Sequence, residues 1–302
     1  MFNRLSKVKT CLIAFAATLA SIVVPAASSA QSSFQSPDIL VLGDSQISFG
    51  SGPAFLDFFE DIKAHCKPNN SQARHLKKLG EMSVAVIGLR STSLQHWTSR
   101  MGAPKGSICD VDPKWKVNAG SYGFINQTAN KYVQIGQGRE YQFCEKGKSP
   151  FEAMFRQDYY YPRLLFMTFL GNSSKRWASS VENARADVDE TMRQLPSDIP
   201  CIFMTTAPPF RQNIVDLRLM AQENLKTAFV EAGARCTFLE GATPETVAAN
   251  LGNKRYFRLN MEGRVKDPYH PNTKAARNFL EIEMGQICNA IFTQVEQADP
   301  RP

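Results

Sequence analysis

Ser45 is the first residue of chemical interest. It stands in Gly43-Asp44-Ser45-Gln46, just past the apolar run Asp38-Ile39-Leu40-Val41-Leu42. A serine just past a buried strand, with Gly before the turn, can sit exposed at the edge of a sheet, and the backbone N–H groups that follow can hold an oxyanion. A serine nucleophile needs a base, and the base needs an acid to fix its tautomer. Asp267-Pro268-Tyr269-His270 supplies both, with Asn272 or Thr273 placed to cap the helix that follows. Two further positions lie where a strand should end. Gly88 lets a backbone N–H approach a substrate oxygen, and Gly171-Asn172 offers a side-chain amide donor. Each motif also has an ordinary reading, as a strand-to-loop turn or a polar loop. The first is not a Gly-x-Ser-x-Gly elbow, because Ile47 stands at the last position.

The elements around these residues alternate. Apolar runs at Asp38–Leu42, Ser83–Ile87, Leu164–Leu170, Cys201–Thr205 and Cys236–Leu239 predict five strands. Helical spacing predicts helices over Pro53–Ala64, Ser179–Leu195, Asp216–Ala232 and Thr273–Ile291. Strands that are apolar throughout belong to a parallel sheet covered on both faces. Ligands of such sheets bind outside the carboxyl ends of the strands, where Gly43, Gly88 and Gly171 all fall. The stretch Trp97–Pro162, rich in Gly, Asn, Gln and aromatics, breaks the alternation and reads as a long insertion after the second strand.

Ser, Gly, Asn and Asp-x-x-His thus occur in that order, each at the end of a different element. In this the chain resembles the SGNH hydrolases, or GDSL esterases and lipases. Gly43-Asp44-Ser45 matches the first block of that family, Gly88 its glycine block, Gly171-Asn172 part of its Gly-x-Asn-Asp block, and Asp267 to His270 its last. The resemblance implies a three-layer α/β/α, flavodoxin-like sandwich around a central, mostly parallel five-stranded sheet. It implies Ser45 as nucleophile, His270 as general base and Asp267 as orienting acid. The oxyanion hole would be the N–H groups of Ser45 and Gly88 with the Asn172 amide. Gln46 and Ser173 depart from the family, which usually has leucine and aspartate at these places.

The chain has 302 residues and a formal charge of +7. Arg4, Lys7 and Lys9, the apolar run Cys11–Val24, Pro25 and Ser28-Ser29-Ala30 have the layout of a signal peptide cleaved after Ala30. The run is shorter than the ~20 residues a span needs, so no stable membrane span is expected after cleavage. Residues 31–302 then form one domain, exported to the periplasm or secreted. Its scattered charge gives no nucleic-acid patch. Of seven cysteines, Cys11 leaves with the leader; Cys66, Cys109, Cys144, Cys201, Cys236 and Cys288 form an even set. In an exported chain that predicts three disulfides. Six cysteines allow 15 pairings and the sequence does not choose among them; the set expected is Cys66–Cys288, between two helices of one face, Cys201–Cys236, between the starts of neighbouring strands, and Cys109–Cys144. No metal or cofactor is expected, and His65, His75 and His96 read as surface residues.

The function expected is ester hydrolysis, with an acylated polysaccharide, cell-wall glycan or small ester as substrate. Trp97, Trp115, Tyr122, Tyr132 and Tyr141 in the insertion form either a stacking platform for sugar rings or a small core of their own. An acyltransferase passing the acyl group to a glycan hydroxyl would use the same residues. A non-catalytic glycan-binding envelope protein on this fold is the alternative of another class.

Overall fold

Leu40 and Leu42 belong to one hydrophobic core and Ile39 and Val41 to a second, and all four are fully buried. The same division recurs at Ala85 and Ile87 against Val84 and Val86, and at Leu165 and Met167 against Leu164 and Phe166. Successive side chains leave a strand on opposite faces, so a strand buried on both must be apolar at every position. The computed structural model describes residues 36–69, 72–73, 81–100, 102–103, 106–107, 109, 120–125, 145–156 and 160–298, and the side chains of all of these but 120–125 and 297–298.

Six strands build the central sheet: β1 (Ile39–Gly43), β2 (Val84–Gly88), β3 (Gly120–Ile125), β4 (Leu164–Thr168), β5 (Cys201–Met204) and β6 (Thr237–Leu239). Their order is β3-β2-β1-β4-β5-β6. The five expected strands pair in parallel. β3, from within the stretch read as an insertion, adds an antiparallel edge to β2. Its sequence, GSYGFI, has two glycines and no apolar run, so it carries little strand signal. The chain leaves β1 for β2 on one side and later returns to β4 on the other. That reversal opens a crevice at the carboxyl ends of these strands.

Helices cover both faces. Gly52–Glu60, Ile62–His65, Thr273–Ile282 and Met284–Ala298 contribute to one core, and Leu94–Thr98, Pro150–Met154, Ser174–Ser179, Val181–Gln194 and Gln212–Glu231 to the other. The last expected helix is two, parted at Glu283. The Glu283 side chain turns inward and accepts from the Thr243 hydroxyl at 2.5 Å. A second, two-stranded sheet, β7 (Phe257–Leu259) and β8 (Val265–Pro271), is an antiparallel hairpin with irregular register.

Cys66 bonds Cys288, joining two helical segments of one face, and Cys201 bonds Cys236, joining the starts of β5 and β6. Both pairings are those expected. The latter closes a 35-residue separation, which in the chain-entropy account stabilises the fold by about 4 kcal/mol. Cys109 is also disulfide-bonded; its expected partner, Cys144, lies outside the described residues, as do the expected leader, His75, Trp115, Tyr132 and Tyr141 and the side chain of Tyr122. Among the described residues no helix is long and apolar enough to cross a membrane.

Candidate active site

β1 ends at Gly43, and the chain enters a helical turn at Ser45 that widens into a π-helical turn, Ile47–Ser51, before helix Gly52–Glu60. π-turns recur at functional sites because they re-aim the residues around them. Here the turn packs against two backbones. A Cβ added to Gly88 would lie 2.4 Å from Ile47 Cγ2 and 2.8 Å from Ser48 N. A Cβ added to Gly50 would lie 2.4 Å from the Pro271 carbonyl oxygen. Only glycine lets the turn settle on the end of β2 and against β8 together. Gly50→Ala must push β8 away from the turn. A displacement near 1 Å costs on the order of 10²-fold in rate, so kcat of the variant should fall by about that factor. Steady-state assays beside a thermal melt would check this; a fully active, folded variant would remove Gly50 from the argument.

Asp267 and His270 stand on β8, a strand, and not in a polar loop. The Ser45 hydroxyl lies 2.8 Å from His270 Nε2, and His270 Nδ1 lies 2.7 Å from Asp267 Oδ2. The other carboxylate oxygen, Oδ1, accepts the backbone N–H groups of Tyr269 at 3.0 Å and His270 at 3.3 Å. The carboxylate is thereby oriented by its own chain before it meets the imidazole. Beyond β8, Asn272 Oδ1 caps helix Thr273–Ile282 by accepting from Ala275 N at 3.0 Å. Its Nδ2 donates to Arg255 O, so the hairpin is pinned directly after His270.

Behind this row lies a buried polar network that the sequence did not reveal. Gln46 Nε2 donates to Ala207 O at 3.0 Å and to Tyr269 O at 3.3 Å. Arg218, from helix Gln212–Glu231, donates to the same two carbonyls, at 3.2 and 3.5 Å. Asp44 is 1 % exposed and accepts from Gln46 N at 2.9 Å, Gly171 N at 3.2 Å and Leu170 N at 3.4 Å. Burial pushes its carboxyl above the usual value, while these N–H groups and the Arg218 charge pull it back. Burial likewise lowers Arg218 to about 10, with Asp44 opposing. Arg218 therefore stays cationic at neutral pH. The network ties the end of β1, the turn after β4 and the strand bearing His270 into one unit.

Asn172 is exposed in the turn after β4 and donates from Nδ2 to Thr92 O at 2.8 Å, bridging the loops after β4 and β2. Ser173 is buried, and its hydroxyl accepts from Leu94 N. The Gly88 carbonyl accepts from the Ser48 hydroxyl at 2.6 Å. At the rim, the half-exposed Phe49 ring lies 4.4 Å from the His270 ring, and the Arg90 guanidinium carbon sits 4.3 Å over Phe49. Tyr269 is also exposed.

Trp97 is no sugar platform: it is fully buried in the core, 5.8 Å from Phe151 and 6.2 Å from Phe169. His96 is not a surface residue either. It is half-buried, and its Nδ1 lies 2.8 Å from the Ser93 N and Oγ, closing a capping box. His65 stacks on Phe58. No group of three metal-ligating side chains occurs among the described residues.

No family model matches the chain, and no curated protein matches it. Solved structures do. A DUF4886 family protein from Bacteroides uniformis aligns at TM-score 0.46 and 10% identity, over 89% of this chain and 88% of that one. A family two carbohydrate esterase from Clostridium thermocellum, in complex with cellohexaose, aligns at TM-score 0.37 and 12% identity, over 85% and 65% of the two chains. An active-site mutant of that esterase gives the same values.

Proposed function

We propose that the protein is an exported serine ester hydrolase that removes acyl groups from a glycan. The observation that carries this reading is the continuous hydrogen-bonded row Ser45–His270–Asp267, lying at the carboxyl edge of the sheet beside its topological reversal. Ser45 Oγ attacks the acyl carbon as His270 Nε2 takes its proton. Asp267 holds the imidazole in the tautomer with the proton on Nδ1 and stabilises the imidazolium that forms. The tetrahedral oxyanion is assigned to the N–H groups of Ser45 and Gly88 and to the Asn172 amide. One amide hydrogen of Asn172 goes to Thr92 O, which leaves its second for this role. Collapse of the intermediate passes the proton from Nε2 to the leaving hydroxyl. Water then attacks the acyl-enzyme by the same route in reverse. Each oxyanion donor of this kind is worth about 10²–10³ in rate.

The glycan substrate is supported by the exposed rings of Phe49 and Tyr269, whose centroids lie 4.4 and 6.5 Å from that of His270. Flat aromatic faces suit sugar rings, and no long apolar lid is seen among the described residues. Two disulfides fit an oxidising compartment. A fluorophosphonate probe tests the nucleophile: wild type should label at Ser45 and Ser45→Ala should not. Equal labelling of the two proteins would end the serine-esterase reading. Product analysis with a glycan acceptor present separates hydrolysis from acyl transfer to a sugar hydroxyl.

A further inference from the structure

The loops at the carboxyl ends of the strands, with the hairpin that bears His270, carry a set of exposed cations. The loop after β2 contributes Arg90, the turn after β4 leads into Lys175, the loop after β5 contributes Arg211, and the β7–β8 hairpin contributes Arg258 and Lys266. All five are exposed, and none is in an ion pair among the described residues. Elsewhere some exposed cations pair, as Arg100 does with Glu152 and Arg277 with Asp57, while others, such as Lys63 and Lys274, have no ion pair among the described residues. The carboxylates on the rim elements are accounted for. Asp44 is buried, Glu262 is taken by Arg264, and Asp267 is bonded to His270. Five exposed cations thus stand on the elements that carry the site, with no carboxylate paired to them among the described residues.

Arg90 is the one with a defined place. Its guanidinium carbon lies over the face of Phe49, and Phe49 lies against His270. A guanidinium stacked on a ring presents its N–H groups at its edge, where they match a carboxylate in two parallel hydrogen bonds. The next residue, Ser91, has φ +60°, the left-handed region that a serine seldom occupies. That backbone state fixes how the loop presents Arg90.

We propose that the site takes an acidic glycan, with Arg90 pairing a sugar carboxylate next to the residue that carries the scissile ester. This rests on the ester-hydrolase reading of the same site, and it adds the charge of the substrate. Arg90 is a specificity residue here: it touches the sugar and leaves the reacting bond alone. The remaining cations raise the local concentration of a polyanion and make its binding sensitive to salt.

The test is binding, which needs no turnover. Oligogalacturonate and a neutral cello-oligosaccharide of equal length are titrated into the full-length protein, wild type, Arg90→Gln and Arg90→Lys, at low and high salt. Wild type should bind the acidic chain at least about tenfold more tightly, and salt should erode that margin. Arg90→Gln should lose most of the margin, and Arg90→Lys should keep part of it, since it retains charge but not the paired donors. Equal binding of the two glycans by wild type, or an unchanged margin in Arg90→Gln, overturns the proposal. Hydrolysis of 4-nitrophenyl acetate by the same proteins reads the ester chemistry separately. Its absence in wild type would sink the esterase reading, whereas its persistence in Arg90→Gln is expected.

Discussion

Asp267→Asn should lower kcat for ester hydrolysis by about 10⁴-fold, and His270→Ala by at least as much, with KM little changed. The size of the first effect follows from the backbone. Asp267 Oδ1 already accepts the N–H groups of Tyr269 and His270, and Oδ2 faces His270 Nδ1. An asparagine must place its oxygen on one side and its NH2 on the other. With the oxygen toward the two N–H groups, the NH2 faces Nδ1 and forces the ring proton onto Nε2. The imidazole then donates to Ser45 instead of accepting from it, and the base is lost. With the oxygen toward Nδ1, the NH2 faces the N–H donors of Tyr269 and His270 and both of their hydrogen bonds are lost. The first orientation keeps both backbone hydrogen bonds and is therefore favoured, and it leaves no working base. Burst and steady-state kinetics with a chromogenic acetate ester, beside an unchanged melting curve, are the measurements. Activity of Asp267→Asn within tenfold of wild type would mean that Asp267 does not orient His270.

Arg218→Met should destabilise the fold by about 3–5 kcal/mol, the usual consequence of removing one charge from a buried pair. The loss should also depend on pH. Burial raises the folded-state carboxyl of Asp44 above its unfolded value, and Arg218 holds that rise in check. Between the unfolded and folded values the native state binds more protons, so stability falls as pH rises through that window. Without Arg218 the folded value climbs and the window extends upward. The deficit relative to wild type should therefore be larger at about pH 8 than at about pH 5. Urea unfolding at the two pH values measures it. Arg218→Lys, which keeps the charge but not the fork of donors, should recover the pH-dependent part. A deficit that is small, or the same at both pH values, would show that Asp44 and Arg218 are not coupled. Because Arg218 and Gln46 share the carbonyls of Ala207 and Tyr269, kcat should drop along with stability.

The parts of this protein that the sequence determines are those in which the relevant partners are near in the chain or repeat with a period. Five strands are written as mainly apolar runs, and β1, β2, β4 and β5 are buried at every position, because both faces of the sheet are covered. The Asp267–His270 contact spans three residues, so local backbone geometry suffices to form it. Two disulfides follow once the elements that carry them are ordered around the sheet. Other features depend on residues far apart in the chain. β3 is held by the edge of β2, which pairs with it whatever its own propensity. Trp97 becomes core because the opposing elements bring Phe151 and Phe169 to it. Gly43-Asp44-Ser45 supplies a hydroxyl; its meeting with His270, 225 residues away, is decided by Gly50 lying against Pro271 and by Gln46 and Arg218 on the Tyr269 carbonyl. Those are steric fits and burial-dependent hydrogen bonds, and both exist only once the chain has closed around them.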